Sequence, residues 1–274
     1  MNESLNYMNF YGMQKRPFQR DIPVDAVFWN DSFENAAGCI EMAVESNEFG
    51  ILFGEPGVGK SLVVRKLLNT LPSGRYVSLY LTDSDMSPRW LYSGLLTKLG
   101  EPKKFYRHDG KRALQDIFLR LYEQEHKKIV VFLDEAHLLS YETLQEARFF
   151  LNMECDSRSI VALILIGQTE LFSERLQGVH MTAIRDRVLY KAKLEPFDRA
   201  DTGRYIRHQI SYSGCDRDIF DEKAMDVIFA STGGNARRIN KTCISCLLYG
   251  SQQKKNTLDN YAVSFVIEHQ SLDC

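Results

Sequence analysis

The chain has 274 residues, 44% of them hydrophobic and 26% charged, with a formal net charge of −2. That is the composition of a soluble globular protein, long enough to bury a full core in one large domain or in a large and a small one. The near-neutral balance excludes a global basic field, so any nucleic-acid contact must come from a local patch.

The first residues, MNESLNYMNFYG, lack the basic start and apolar stretch of a signal peptide. No apolar run approaches the roughly 18 residues of a membrane span. The expected location is cytoplasmic, with no membrane contact.

Phe49 to Phe53 read as a short buried strand and Leu62 to Leu71 as an amphipathic helix. Between them lies Gly54-Glu55-Pro56-Gly57-Val58-Gly59-Lys60-Ser61, which fits the phosphate-loop spacing G-x-x-x-x-G-K-[ST]. Backbone N–H groups from Gly54 through Leu62 are expected to wrap the phosphates of ATP, with the dipole of the following helix behind them. Gly57 and Gly59 permit turns that a side chain resists. Lys60 is expected to neutralise phosphate charge and Ser61 to ligate Mg²⁺.

A second strand follows in RYVSLYLTDSD, then a helix in PRWLYSGLLTKLG. Next comes GEPKKFYRHDGKR, read as a loop that carries Lys103, Lys104, Arg107, Lys111 and Arg112 with Phe105 and Tyr106 interleaved. Such a stretch either contacts several phosphates of duplex DNA with little sequence preference or is a solvated surface.

Ile129 to Leu133 form a continuous apolar run, as in a strand buried on both faces. It ends in Asp134-Glu135-Ala136-His137. Asp134 at the carboxyl end of a strand can hold the Mg²⁺ shell, and Glu135 can polarise the attacking water as general base. A further buried strand, Ile160 to Ile166, ends at Gly167-Gln168-Thr169, and Gln168 is the polar group able to reach the γ-phosphate or the water. The letters DEAH are also a helicase signature, but that class needs two α/β domains in tandem. Only about 105 residues follow Gln168, and they hold no second phosphate loop.

Those residues read as four helices: RADTGRYIRHQISYSG with Asp198 or Asp201 as cap, DEKAMDVIFASTGG closed by Gly233-Gly234, NARRINKTCISCLLYGSQQ with Asn235 as N-cap, and LDNYAVSFVIEHQ. The six cysteines, at 39, 155, 215, 243, 246 and 274, give one C-x-x-C without a second pair to complete a zinc site. That pair, Cys243 and Cys246, is expected to be plain buried thiols.

The order of strand, phosphate loop, DEAH, LIGQTEL, arginine pair and TGGNARRIN resembles the AAA+ ATPases, and within them the ExeA/TniB/TnsC-like group of bacterial ATPases. FYGMQKRPFQRDIP is similar to that group's N-terminal segment. The resemblance implies a three-layer α/β/α domain with a parallel sheet over residues 31–195, preceded by a segment, 1–30, that packs near the nucleotide, and followed by an all-helical lid over 196–274. It implies ATP and Mg²⁺ as cofactors and ATP hydrolysis as the reaction. Arg237 matches the lid arginine that reaches the nucleotide. Arg185 and Arg187 lie where the group supplies an arginine finger to the neighbouring subunit, so hydrolysis needs a ring or helical homo-oligomer. Phe18 falls in a segment that packs near adenine in related proteins, or else is core. The group's two jobs are the assembly of a secretion channel by longer, membrane-spanning members, and DNA-bound recruitment or activation of a transposase by compact ones, with disassembly on hydrolysis. The length and lack of a span favour the second, with the basic stretch toward DNA.

Overall fold

The structure is a computed structural model that describes residues 6–19, 21–83, 86–151 and 159–270; Cys155 and Cys274 lie outside them. The chain divides into two compact units. One comprises Asp31–Pro56 and Lys60–Leu194; the other combines the N-terminal residues up to Asn30, Gly57–Gly59 and the chain from Glu195 onward.

The second of these opens with helix α1 (Asn6–Tyr11). The first opens with α2 (Asp31–Ser46) and carries five strands: β1 (Phe49–Gly54), β2 (Tyr76–Leu81), β3 (Lys128–Leu133), β4 (Val161–Gly167) and β5 (Val188–Leu194). The strand order is β2-β3-β4-β1-β5 and every pairing is parallel. Residues of β1, β3 and β4 are buried almost throughout, whereas the edge strands β2 and β5 mix buried with partly or fully exposed positions. This is the division expected when helices cover both faces of a parallel sheet.

One face packs against α4 (Pro88–Lys98) and α5 (Arg107–Glu123), with Leu91, Leu95, Leu114 and Phe118 set against Ile51, Val131 and Leu163. The other carries α2 and α3 (Lys60–Thr70). Gly50 lets α2 approach closely: a Cβ there would lie 3.1 Å from that of Ala43. The architecture is thus the three-layer α/β/α domain with a parallel sheet read from the sequence. A short α6 (Tyr141–Ala147) follows β3, and α7 (Thr182–Arg185) precedes β5.

The basic stretch departs from its reading as a loop. Helix α5 begins at Arg107, so Arg107, Lys111 and Arg112 are helical. Gly110, inside the helix, packs closely: a Cβ there would meet that of Tyr92 at 3.2 Å.

In the other unit, α8 (Arg199–Tyr212), α9 (Glu222–Thr232), α10 (Ala236–Gln252) and α11 (Asn260–Gln270) are the four helices of the C-terminal reading. The caps are Asp198, whose side chain accepts from Asp201 N, and Asn235, whose side chain accepts from Arg238 N. The N-terminal segment folds with these helices. Tyr11 donates its hydroxyl to the Lys255 carbonyl at 3.0 Å. Phe18 is buried, donates its N–H to Gln209 Oε1 at 2.9 Å, and lies edge-on to Tyr205. Cys243 and Cys246 are both buried in α10, and burial pushes the Cys246 thiol up to about 12. Among the described residues no helix is long and apolar enough to cross a membrane.

Candidate nucleotide site

Register brings the chemistry together. Phe53 pairs with Gly167, and Leu133 pairs with Leu165. The carboxyl ends of β1, β3 and β4 therefore fall side by side at one edge of the sheet, where open α/β sheets hold their ligands. They deliver the phosphate loop, Asp134 and Gln168 respectively.

The phosphate loop leaves β1 at Gly54 and runs into α3 at Lys60. Gly57 and Gly59 take φ of +87° and +114°, a region that favours glycine. Lys60 Nζ donates to the carbonyls of Gly54 and Glu55 at 2.8 and 3.0 Å, so the side chain folds back over the loop that its backbone extends. Ser61 and Leu62 stand in the first turn of α3, with Ser61 exposed.

Asp134 is buried, and both its oxygens accept hydrogen bonds. Oδ1 takes the N–H of Glu135 at 2.8 Å and Oδ2 takes the Tyr80 hydroxyl. Burial, together with the bond to Asp134 and its charge, pushes the Tyr80 hydroxyl well above its ordinary pKa, so it stays a donor. Tyr80 was not among the residues singled out from the sequence. Its signal is only the strand register, which pairs it with Phe132, two residues before Asp134.

Glu135 has φ of +52°, a conformation that costs a non-glycine residue of order 1–3 kcal/mol and that clusters at functional sites. Its side chain is about half exposed. His137 Nδ1 lies 3.6 Å from Glu135 Oε2 and accepts the backbone N–H of Gln168 at 3.4 Å. It thus stands between the end of β3 and the end of β4. Gly167 is closely packed beside it: a Cβ there would lie 2.7 Å from Leu171 Cδ2 and 3.3 Å from His137 N.

Among the described residues no group of three His, Cys, Asp or Glu could hold a metal. The oxygen donors here, the Ser61 hydroxyl and the Asp134 carboxylate, fit a Mg²⁺ ion that keeps phosphate and water oxygens in its shell. The loop's N–H groups, the Lys60 ammonium and the start of α3 fit an anionic phosphate chain.

In the other unit, the first turn of α10 meets Gly57. The Arg237 N–H donates to the Gly57 carbonyl at 3.3 Å, and a Cβ on Gly57 would lie 2.7 Å from Asn235 Oδ1 and 2.8 Å from Arg237 Cβ. Gly57 is thus needed both for its φ and for this contact. Arg185 directs its guanidinium to the Gln177 carbonyl and side chain at 3.5 and 3.4 Å and to Asp186 at 3.6 Å. Arg187 is half-buried immediately before β5.

The five cations of the basic stretch do not act alike. Arg107 pairs with Glu142 and Glu146 of α6, and Lys111 lies 3.7 Å from Glu146. Burial raises the Glu146 carboxyl, but the bonds from Tyr92 and Arg107 and the positive charges nearby outweigh it and hold the group below its ordinary range. Lys103, Lys104 and Arg112 are exposed. The proposed DNA contacts at Arg107 and Lys111 are thus already matched by carboxylates of the same unit.

A model of the AAA domain family matches residues 44–175. General secretion pathway protein A of Aeromonas hydrophila is 26% identical over 246 residues, covering 88% of this chain and 44% of that protein. The chain thus spans less than half the length of that relative. The ORC2 protein of Aeropyrum pernix, in ADPNP-ADP complexes, superposes with a TM-score of 0.63 at 13% identity, covering 95% of this chain and 71% of that one. Drosophila ORC bound to DNA gives a TM-score of 0.62 at 15% identity, covering 97% and 65%. At such identities the likeness carries the fold alone.

Proposed function

We propose that the chain binds ATP with Mg²⁺ and assembles with copies of itself on DNA, where it recruits or activates a transposase and comes apart on hydrolysis. The observation that carries the nucleotide chemistry is the meeting of Lys60, Asp134, Glu135 and Gln168 at one edge of the sheet, fixed by strand register. Lys60 binds phosphate, and Ser61 and Asp134 hold the metal. Glu135 takes the proton of the attacking water, and Gln168 orients that water or the γ-phosphate. Bound Mg²⁺ supplies charge neutralisation on the phosphates. Arg237 serves the nucleotide from the lid, Phe18 belongs to the segment beside the base, and Arg187 or Arg185 completes a neighbour's site. DNA is supported by the exposed Lys103, Lys104 and Arg112 and by a structural neighbour, Drosophila ORC, described as bound to DNA. The transposase rests on the family resemblance.

A second reading is favoured by one observation, the similarity to general secretion pathway protein A. On it, the same ATP cycle remodels a protein partner and DNA has no part. Sedimentation of the purified chain with and without duplex DNA, in a slowly hydrolysed ATP analogue and in ADP, separates the two. Large complexes that need both triphosphate and DNA support the first reading. Assembly that needs triphosphate but ignores DNA moves the assignment to the second.

A further inference from the structure

Three large aromatic side chains stand out from the surface around the start of α4 and the approach to α5. Trp90 is 53% exposed, Phe105 70% and Tyr106 60%. The buried face of α4 is already occupied by Leu91, Tyr92, Leu95 and Leu96, so Trp90 is left on the outer side. Phe105 and Tyr106 meet edge to face at 5.0 Å. Cations lie over the rings: Lys103 Nζ is 5.0 Å from the Trp90 ring centre, and the Arg89 guanidinium is 4.6 Å from that of Phe105. Among the described residues, Arg89, Lys103, Lys104 and Arg112 pair with no carboxylate, in contrast to Arg107 and Lys111.

Contact with a duplex backbone accounts for the cations but not for the rings. A base pair inside a duplex offers its edges in the grooves and keeps its faces stacked. Aromatic side chains gain from a nucleic acid where a base is unstacked and its face is open, and each such stack is sequence-tolerant. Rings interleaved with unpaired cations, on a surface where the other cations are neutralised, match a strand that offers faces and phosphates alternately.

We infer that Trp90, Phe105 and Tyr106, with Arg89, Lys103 and Lys104, form a stacking platform for unpaired bases, so that this surface prefers single-stranded or locally opened nucleic acid to intact duplex. The inference rests on the nucleic-acid part of the proposed function and deepens it by naming the form of DNA that is bound.

Trp90 is its own reporter, because the chain has only one other tryptophan, Trp29. The full chain with Trp29→Phe is titrated, in Mg²⁺ and a slowly hydrolysed ATP analogue, with an oligothymidine strand, an abasic strand of equal phosphate count, and a duplex of equal length. The expected result is quenching of Trp90 by the base-bearing strand alone, with affinity about 10-fold above the abasic strand and the duplex. Trp90→Leu with Phe105→Leu is expected to abolish that preference and leave nucleotide binding and the melting temperature unchanged. Equal binding of all three ligands without quenching overturns the platform and leaves the backbone reading standing. No binding of any of them overturns both.

Discussion

Asp134 has one oxygen on the Tyr80 hydroxyl and the other on the Glu135 N–H, so its carboxylate is held in a single orientation. A carboxylate fixed this way offers its remaining lone pairs to a metal without first being ordered, as outer-sphere partners do in metal sites generally. Tyr80→Phe removes one of the two donors and leaves the ring. The apparent Mg²⁺ affinity in ATP hydrolysis is expected to fall about 10-fold, while Mg²⁺-independent nucleotide binding is unchanged; an unaltered Mg²⁺ titration would remove Tyr80 from the site. Glu135→Gln tests a different function. It keeps size and hydrogen bonding but cannot accept a proton, so phosphate release should drop by roughly 10²–10⁴-fold with ATP still bound. A variant that hydrolyses at the normal rate would show that another group takes the proton. His137 joins the two strand ends, accepting the Gln168 N–H beside the Glu135 carboxylate. Asn at 137 keeps an acceptor near the position of Nδ1 and Ala does not. The maximal rate should therefore fall in His137→Ala and recover in part in His137→Asn, measured by steady-state phosphate release.

The turn between α9 and α10 contains two glycines that are needed for different reasons. Gly233 ends α9 in the left-handed region, at φ of +59°, with nothing near the place of a Cβ. Gly234 has φ of +74°, and a Cβ there would lie 1.8 Å from the Phe197 carbonyl oxygen, a backbone atom that cannot swing aside. Gly233→Ala should cost about 1–2 kcal/mol, the price of a left-handed Cβ. Gly234→Ala should cost more than that and should also weaken ATP binding, because the turn sets the α10 residues that meet Gly57. Melting temperatures and nucleotide titrations of the two variants decide it; equal losses would mean the Phe197 contact relaxes freely. Both glycines and the Asn235 cap were legible in the sequence, because turn and cap chemistry is local. The central strands were legible for a similar reason, being apolar throughout. Tyr80 was not, since its partner is 54 residues away and is reached only through strand register. Nor was the fold of the N-terminal segment onto the helices, where Tyr11 and Lys255 stand 244 positions apart. The start of α5 at Arg107 was not legible either, because the run of cations reads as a solvated loop while the residues that bury the helix, Leu114 and Phe118, lie beyond it.

On the scale of the whole molecule, the proposed function gives phosphate binding, metal holding and the base to one chain and a finger arginine to its neighbour. The resemblance offers Arg187 or Arg185 as a finger presented to a neighbour, and Arg187 is the one to test first. A finger acting in trans has a consequence that a residue acting within its own site does not. Lys60→Ala has a disabled phosphate loop but an intact arginine; Arg187→Ala has the reverse. Each alone should be inactive in hydrolysis, the first for want of bound ATP and the second with ATP bound. Mixed, they can form interfaces in which a Lys60→Ala subunit presents Arg187 to the intact loop of its neighbour. Arg fingers contribute about 10³–10⁵-fold in comparable enzymes, so even a minority of such interfaces should raise the rate far above either variant alone. The mixture is assayed for phosphate release and sedimented in parallel to establish that the two variants co-assemble. Co-assembly without recovered hydrolysis would mean that Arg187 acts in its own subunit, and the same mixture prepared with Arg185→Ala would then identify which arginine crosses the interface.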